Sequence, residues 1–146
     1  MNFAGPLGEI GHVIQLAIAP VFLLTSVATI INVLVGRLGR SVDRRRVLAA
    51  ALPKLEGDVA VLARREIDFE VHRIDLIYRA ITMSAMSALM VVLLISIAFL
   101  DAFLGWDLRK LIALCFVFAM FALVASLAIF LREIFLSVNS PRAPVI

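Results

Sequence analysis

The stretch VIQLAIAPVFLLTSVATIINVLV, Val13–Val35, contains no Asp, Glu, Lys or Arg. At about 1.5 Å rise per residue, a helix of this length crosses a hydrocarbon core of roughly 30 Å. Two further uncharged runs follow, ITMSAMSALMVVLLISIAFL at Ile81–Leu100 and LIALCFVFAMFALVASLAIFL at Leu111–Leu131. Their spacing predicts an all-α integral membrane protein, a single domain over 1–146 with three transmembrane helices. The pattern speaks to architecture and orientation and names no biochemical activity.

Composition agrees with this reading. The 146 residues are 63% hydrophobic and the mean hydropathy is +1.07, whereas soluble domains are about 45–50% apolar. The excess sits in three blocks, as spans require. Three helices can pack side by side, but they cannot enclose a large cavity. A pore or cofactor pocket would therefore need an oligomer or a partner. The one cysteine, Cys115, lies in the third run and reads as a small buried apolar side chain.

Charge sets the orientation. Ten of the fourteen Lys and Arg residues lie between Arg37 and Ala80. The segment Met1–His12 has none and carries Glu9, so the first run reads as an uncleaved span rather than a signal peptide. The short loop Asp101–Lys110 has only Arg109 and Lys110. The positive-inside rule then puts residues 37–80 in the cytoplasm, with the N-terminus and the short loop outside. The tail after Leu131, with Arg132 and Arg142, is cytoplasmic. Trp106 suits the outer interface, and Gly105 suits a tight turn beside it.

Between spans one and two, Pro53 and Gly57 are the strong breakers. Leu38, Val42, Ala49 and Leu52 recur near helical spacing before them. Val59, Leu62, Val71, Ile74 and Tyr78 do so after them. Two helical arms, continuing spans one and two for about 25–30 Å beyond the bilayer, are expected to fold back as a cytoplasmic hairpin. Asp58 is placed to cap the second arm. Along that arm Glu66 and Glu70 repel at i,i+4, and Asp75 and Arg79 attract. On the first arm Arg37, Arg40, Arg44, Arg45 and Arg46 crowd the membrane-proximal turns, a candidate contact for anionic lipid. Each basic residue there is worth roughly 1 kcal/mol. Without aromatic interleaving or a reader motif, nucleic acid is not an expected partner.

Span one carries the candidate functional face. Gln15, Thr25, Ser26, Thr29 and Asn32, followed by Gly36, fall within an arc of roughly 120°. Polar groups facing lipid are costly, so this stripe is expected to face protein or water. It suits either helix packing or a polar path through an oligomer. Pro20 removes one backbone hydrogen bond and is a candidate kink. Ser84 with Ala88, Ala80 with Ser84, and Ala122 with Ser126 are small pairs at i,i+4 that permit close packing. Met83, Met86 and Met90 read as packing filler. Phe116, Phe118, Phe121 and Phe130 read as packing and lipid contact. No carboxylate lies inside the runs, which argues against a proton or metal relay. Glu9 and His12 form at most a weak outer pair, and His72 lies across the membrane from them. No nucleophile stands beside them, and no Walker loop, Rossmann fingerprint, HExxH or GxSxG is present. No catalytic residue, metal site or cofactor is expected.

The stretch HVIQLAIAPVFLLTSVATIINVLVGRLGRSVDRRR at His12–Arg46, with LIYRAI at Leu76–Ile81 and FLREIFL at Phe130–Leu136, resembles the bacterial domain-of-unknown-function 2721 family of small inner-membrane proteins. The resemblance covers nearly the whole chain in order and implies a three-span inner-membrane protein. It carries over no catalytic residues. It draws attention to Gln15, Pro20, Asn32, Arg37, Arg40, Asp43 and Arg44, and to Asp43 as a tie to Arg40 or Arg44 at the start of the hairpin.

The expectation is a non-enzymatic protein of the bacterial inner membrane, a scaffold or accessory subunit that assembles as a homo-oligomer or with a membrane protein partner. The alternative is a small homo-oligomeric channel lined by the polar face of span one.

Overall fold

A computed structural model describes the backbone of residues 4–105 and 107–138. Side chains are described from residue 11 onward, except those of His12, Val13, Leu16 and Ala17. The expectations for the Glu9–His12 pair, Trp106 and Arg142 lie outside the described residues.

Three helices make up the chain: α1 (Ala4–Ala51), α2 (Gly57–Leu104) and α3 (Arg109–Val138). All three are long and apolar enough to cross a membrane, which is compatible with a multi-pass membrane protein. Pro20 lies within α1, and the helix continues past it. α3 runs seven residues beyond Leu131, so the segment expected as a tail is helical as far as Val138.

The two turns follow from their residues. After α1, Leu52–Lys54 forms one 3₁₀ turn around Pro53, Leu55 is extended, and α2 opens at Gly57 with φ +62°. That left-handed conformation is one that glycine adopts at little cost. Asp58 lies in the first turn of α2, where its charge favours the helix dipole. At the other turn Gly105 has φ +64°, and its N–H donates to the Asp101 carbonyl at 2.9 Å. The Asp101 carboxylate accepts the N–H of Leu108 at 2.9 Å just before α3 begins.

The chain forms two compact units. The first comprises Met1–Ile31 and Met83–Val124. Its core is Val91, Leu94, Cys115 and Ala119, against which Leu23, Leu24, Met90, Ile95, Ile97 and Ile112 pack. The Ser87 hydroxyl donates to the Ala119 carbonyl at 2.8 Å, tying α2 to α3. Met83 and Met86 face outward, as do Phe116, Phe118 and Phe121.

The second unit comprises Asn32–Thr82 and Ala125–Ile146. Leu48 and Ala63 are its apolar centre near the Pro53 turn, packed with Ala51, Leu52, Leu55, Val59 and Ile67. Leu34, Ile77 and Ala80 are also fully buried. The Ser126 hydroxyl donates to the Ala80 carbonyl at 2.8 Å. Hydrogen bonds of this kind between apolar helices average about 0.6 kcal/mol, and close approach of the small residues adds dispersion.

Burial recurs at spacings of three and four. On α2 the inward positions are Ala63, Glu66, Glu70, Ile77, Ala80, Ser84, Ser87, Val91 and Leu94, with Arg73 half-buried in the same series. On α1 they are Val27, Leu34, Ser41 and Leu48, seven residues apart. A seven-residue repeat is the register of left-handed helix packing. It corrects the faces expected for the arms. Leu62, Val71 and Tyr78 are exposed and so is Ala49, while small and charged side chains occupy the inside. Close helix approach selects for size at these positions rather than for hydrophobicity.

Candidate functional site: a buried charge cluster

The same register that buries alanine and serine turns three carboxylates and three guanidiniums inward within the second unit. Arg37 and Arg44 stand seven residues apart on α1. Glu66, Glu70 and Arg73 follow each other at spacings of four and three on α2. Glu133 comes from α3, seven residues after Ser126, and is fully buried.

Glu133 is the hub. Its Oε2 accepts from Arg37 Nη1 at 2.6 Å. Its Oε1 accepts from Arg73 Nη2 at 2.7 Å and from Arg73 Nε at 3.1 Å. Arg73 also reaches back along α2, with Nη1 donating to Glu70 Oε1 at 2.9 Å. Two turns nearer the hairpin tip than Arg37 and Arg73, Arg44 Nε donates to Glu66 Oε1 at 2.8 Å. The Arg37 guanidinium lies 5.2 Å from the centroid of the Phe130 ring, a cation–π contact.

The sequence singled out some of these groups in other roles. Glu66 and Glu70 do not simply repel, because each has its own arginine from a different place in the fold. Arg44 pairs with Glu66 rather than Asp43, and Asp43 makes no ion pair among the described residues. Of the five arginines proposed for lipid contact, Arg37, Arg44 and Arg45 are half-buried and Arg40 and Arg46 are exposed. Glu133 was missed because it falls two residues past the third apolar run. One signal could have found it: it is the only acidic residue after Asp107, and it stands in the apolar segment FLREIFL.

The polar stripe of α1 lies elsewhere. Gln15, Thr25, Ser26, Thr29 and Asn32 are all exposed, and Pro20 is half-buried. The Thr25, Ser26 and Thr29 hydroxyls donate to carbonyls one turn back, those of Val21 at 3.3 Å, Phe22 at 3.1 Å and Thr25 at 3.0 Å. A hydroxyl bonded in this way needs no outside partner. The Asn32 amide makes no hydrogen bond among the described residues.

Chemically the cluster is close to saturated. Each guanidinium faces a carboxylate, and Glu70 Oε2 is a buried oxygen left without a hydrogen-bond partner. Among the described residues, no three His, Cys, Asp or Glu side chains converge as a metal site. The arrangement can hold three helix segments in one register, and breaking it would strand buried charge.

No curated protein and no solved structure matches the chain. The family model described as "Protein of unknown function (DUF2721)" matches residues 17–143, almost the whole of the charge-clustered, three-helix chain, and the protein therefore belongs to that family.

Proposed function

We propose that the chain is a non-enzymatic integral protein of the bacterial inner membrane that acts as a scaffold or accessory subunit. On this reading its N-terminus lies outside, and residues 37–80 form a cytoplasmic hairpin with the C-terminus on the same side. The bias of Lys and Arg toward 37–80 supports that orientation. The observation that carries the assembly role is Asn32, a bare amide on the outer face of α1, three residues inside the end of an apolar run. A primary amide in that setting is costly unless another molecule satisfies it. The charge cluster supports the same reading, because its groups are spent on one another and fix the helix segments rather than offering a reactive centre.

The mass and composition of the complex, extracted gently from native membranes, tests this. A homo-oligomer, or stoichiometric recovery with another membrane protein, is expected. A monomer without companions would overturn the assembly role.

A second reading is favoured by the exposure of all five polar residues of the stripe. Gln15, Thr25, Thr29 and Asn32 could line a small homo-oligomeric channel, with the arginines beyond favouring anions. Asn32→Leu should then change anion flux into liposomes by severalfold. Absent flux, or identical flux in the two proteins, would sink the channel.

A further inference from the structure

We propose that the partner of the outer α1 face is a second copy of this chain, docked in parallel about a two-fold axis between Asn32 and Arg46. The inference rests on the assembly reading above and gives it an occupant.

Four observations within the second unit converge. First, Asn32, Gly36, Gly39 and Asp43 are all exposed. At 100° per residue they span roughly 60° of arc, on the side of α1 opposite Leu34 and Ser41, which are buried. This face is therefore the part of α1 that packing among the described residues does not use.

Second, both glycines are unexplained from within. A Cβ on Gly39 would meet nothing within 4 Å, and on Gly36 it would meet only the tip of Arg40 at 3.9 Å. Neither shows a positive φ. Glycine is the poorest helix former after proline, so nothing among the described residues favours it at either position. Close approach of another backbone does.

Third, the Asn32 amide carries both a donor and an acceptor, and it is unpaired among the described residues. A carboxamide is complementary to its own copy across a two-fold axis. Two such amides, one from each copy, satisfy each other inside an apolar contact, the role played by a polar residue in specifying helix pairing.

Fourth, the charges beyond the glycines are self-complementary. Asp43 lies at the centre of the face, with Arg40 and Arg46 about 60° to either side. All three are exposed, and none makes an ion pair among the described residues. In a parallel pair the same symmetry brings the two Asp43 carboxylates near the axis, where Arg40 and Arg46 of both copies flank and offset them. Both copies insert with the same orientation, so a parallel pair is the arrangement a membrane permits. A different protein on this face would have to supply a matching amide and matching charges, whereas a second copy supplies both by symmetry.

Cysteine cross-linking in native membranes tests the proposal. In a Cys115→Ala background, Asn32→Cys, Gly36→Cys and Gly39→Cys should each oxidise to a dimer of twice 16.0 kDa. Leu89→Cys and Leu131→Cys, at exposed positions on α2 and α3, should not. Adding Gly36→Leu to the Asn32→Cys chain should lower the dimer yield roughly tenfold, because the bulk blocks backbone approach. Dimers at Leu89→Cys or Leu131→Cys, with none on α1, would overturn the proposed face. So would a yield indifferent to Gly36→Leu. The native-membrane mass separates this from the wider reading. A homo-oligomer without α1 cross-links refutes only the face, whereas one copy bound to another protein refutes self-association and leaves an accessory subunit.

Discussion

Glu133→Leu is expected to cost about 3–5 kcal/mol of stability, the range seen when one member of a buried ion pair is removed. The substitution leaves Arg37 and Arg73 facing an apolar side chain in place of the carboxylate that both contact. The loss should follow burial. Arg73 keeps 14% of its side chain exposed and Arg37 keeps 27%, while Glu133 keeps none. Arg37→Leu should therefore do less harm than Arg73→Leu, which deprives both Glu70 and Glu133 of a partner. Glu133→Gln retains an acceptor oxygen and should fall in between. Asp75→Asn, at the exposed i,i+4 pair with Arg79, should change stability by less than about 1 kcal/mol. Denaturant titration of the purified protein in micelles, followed by helical circular dichroism, checks the order. If Glu133→Leu matched Asp75→Asn, the cluster would not be holding the fold.

Ala80→Leu should rank next. Ala80 is fully buried, and its carbonyl accepts the Ser126 hydroxyl at 2.8 Å. Three added carbons have no room there, and overpacking a close contact costs typically about 1–3 kcal/mol. The added bulk also forces α3 away and breaks the serine bond. Ala85→Leu adds the same bulk at an exposed position on the same helix and should stay within about 0.5 kcal/mol of the native chain. The same titration measures both. Equal behaviour of the two variants would show that the Ala80 contact is loose.

The parts of this architecture that were legible in the sequence share a physical basis. Uncharged runs of membrane-spanning length, the Pro53–Gly57 break and Gly105 are signals fixed by backbone geometry and solvation. The pairs Ala80–Ser84 and Ala122–Ser126 announced close packing by their size, and Ser84, Ser126 and Ala80 are indeed buried. The inward face of the arms was legible only in part: Leu52 and Val59 pack against Leu48 and Ala63 as their spacing suggests. Apolar periodicity points to Leu62, Val71 and Tyr78, all exposed, whereas the inside holds Ala63, Glu66 and Glu70. The exposed side of this arm mixes Leu62, Val71 and Tyr78 with Arg64, Arg65, Asp68 and Asp75, so hydrophobicity does not separate its faces, and small size and paired charge mark the interior instead. Glu133 escaped for a related reason. A charge at the end of an apolar run reads as the start of a solvated tail, and its two arginines lie 96 and 60 residues away in the chain. A separation that large leaves no local pattern.

The repeat of buried positions also limits how the protein can change length. Leu48 on α1 packs against Ala63 on α2, and the buried positions Leu34, Ser41 and Leu48 on α1 and Ala63, Glu70 and Ile77 on α2 both recur every seven residues. A single residue gained in one arm above the Pro53 turn would rotate everything between it and the tip by about 100°, and Leu48 would leave its place against Ala63. Seven residues gained in each arm would extend the hairpin by about 10 Å and leave Arg44–Glu66 and the Glu133 hub in register. The reach of this hairpin is thus quantised: it can grow or shrink in whole heptads, and only when both strands of the hairpin do so together.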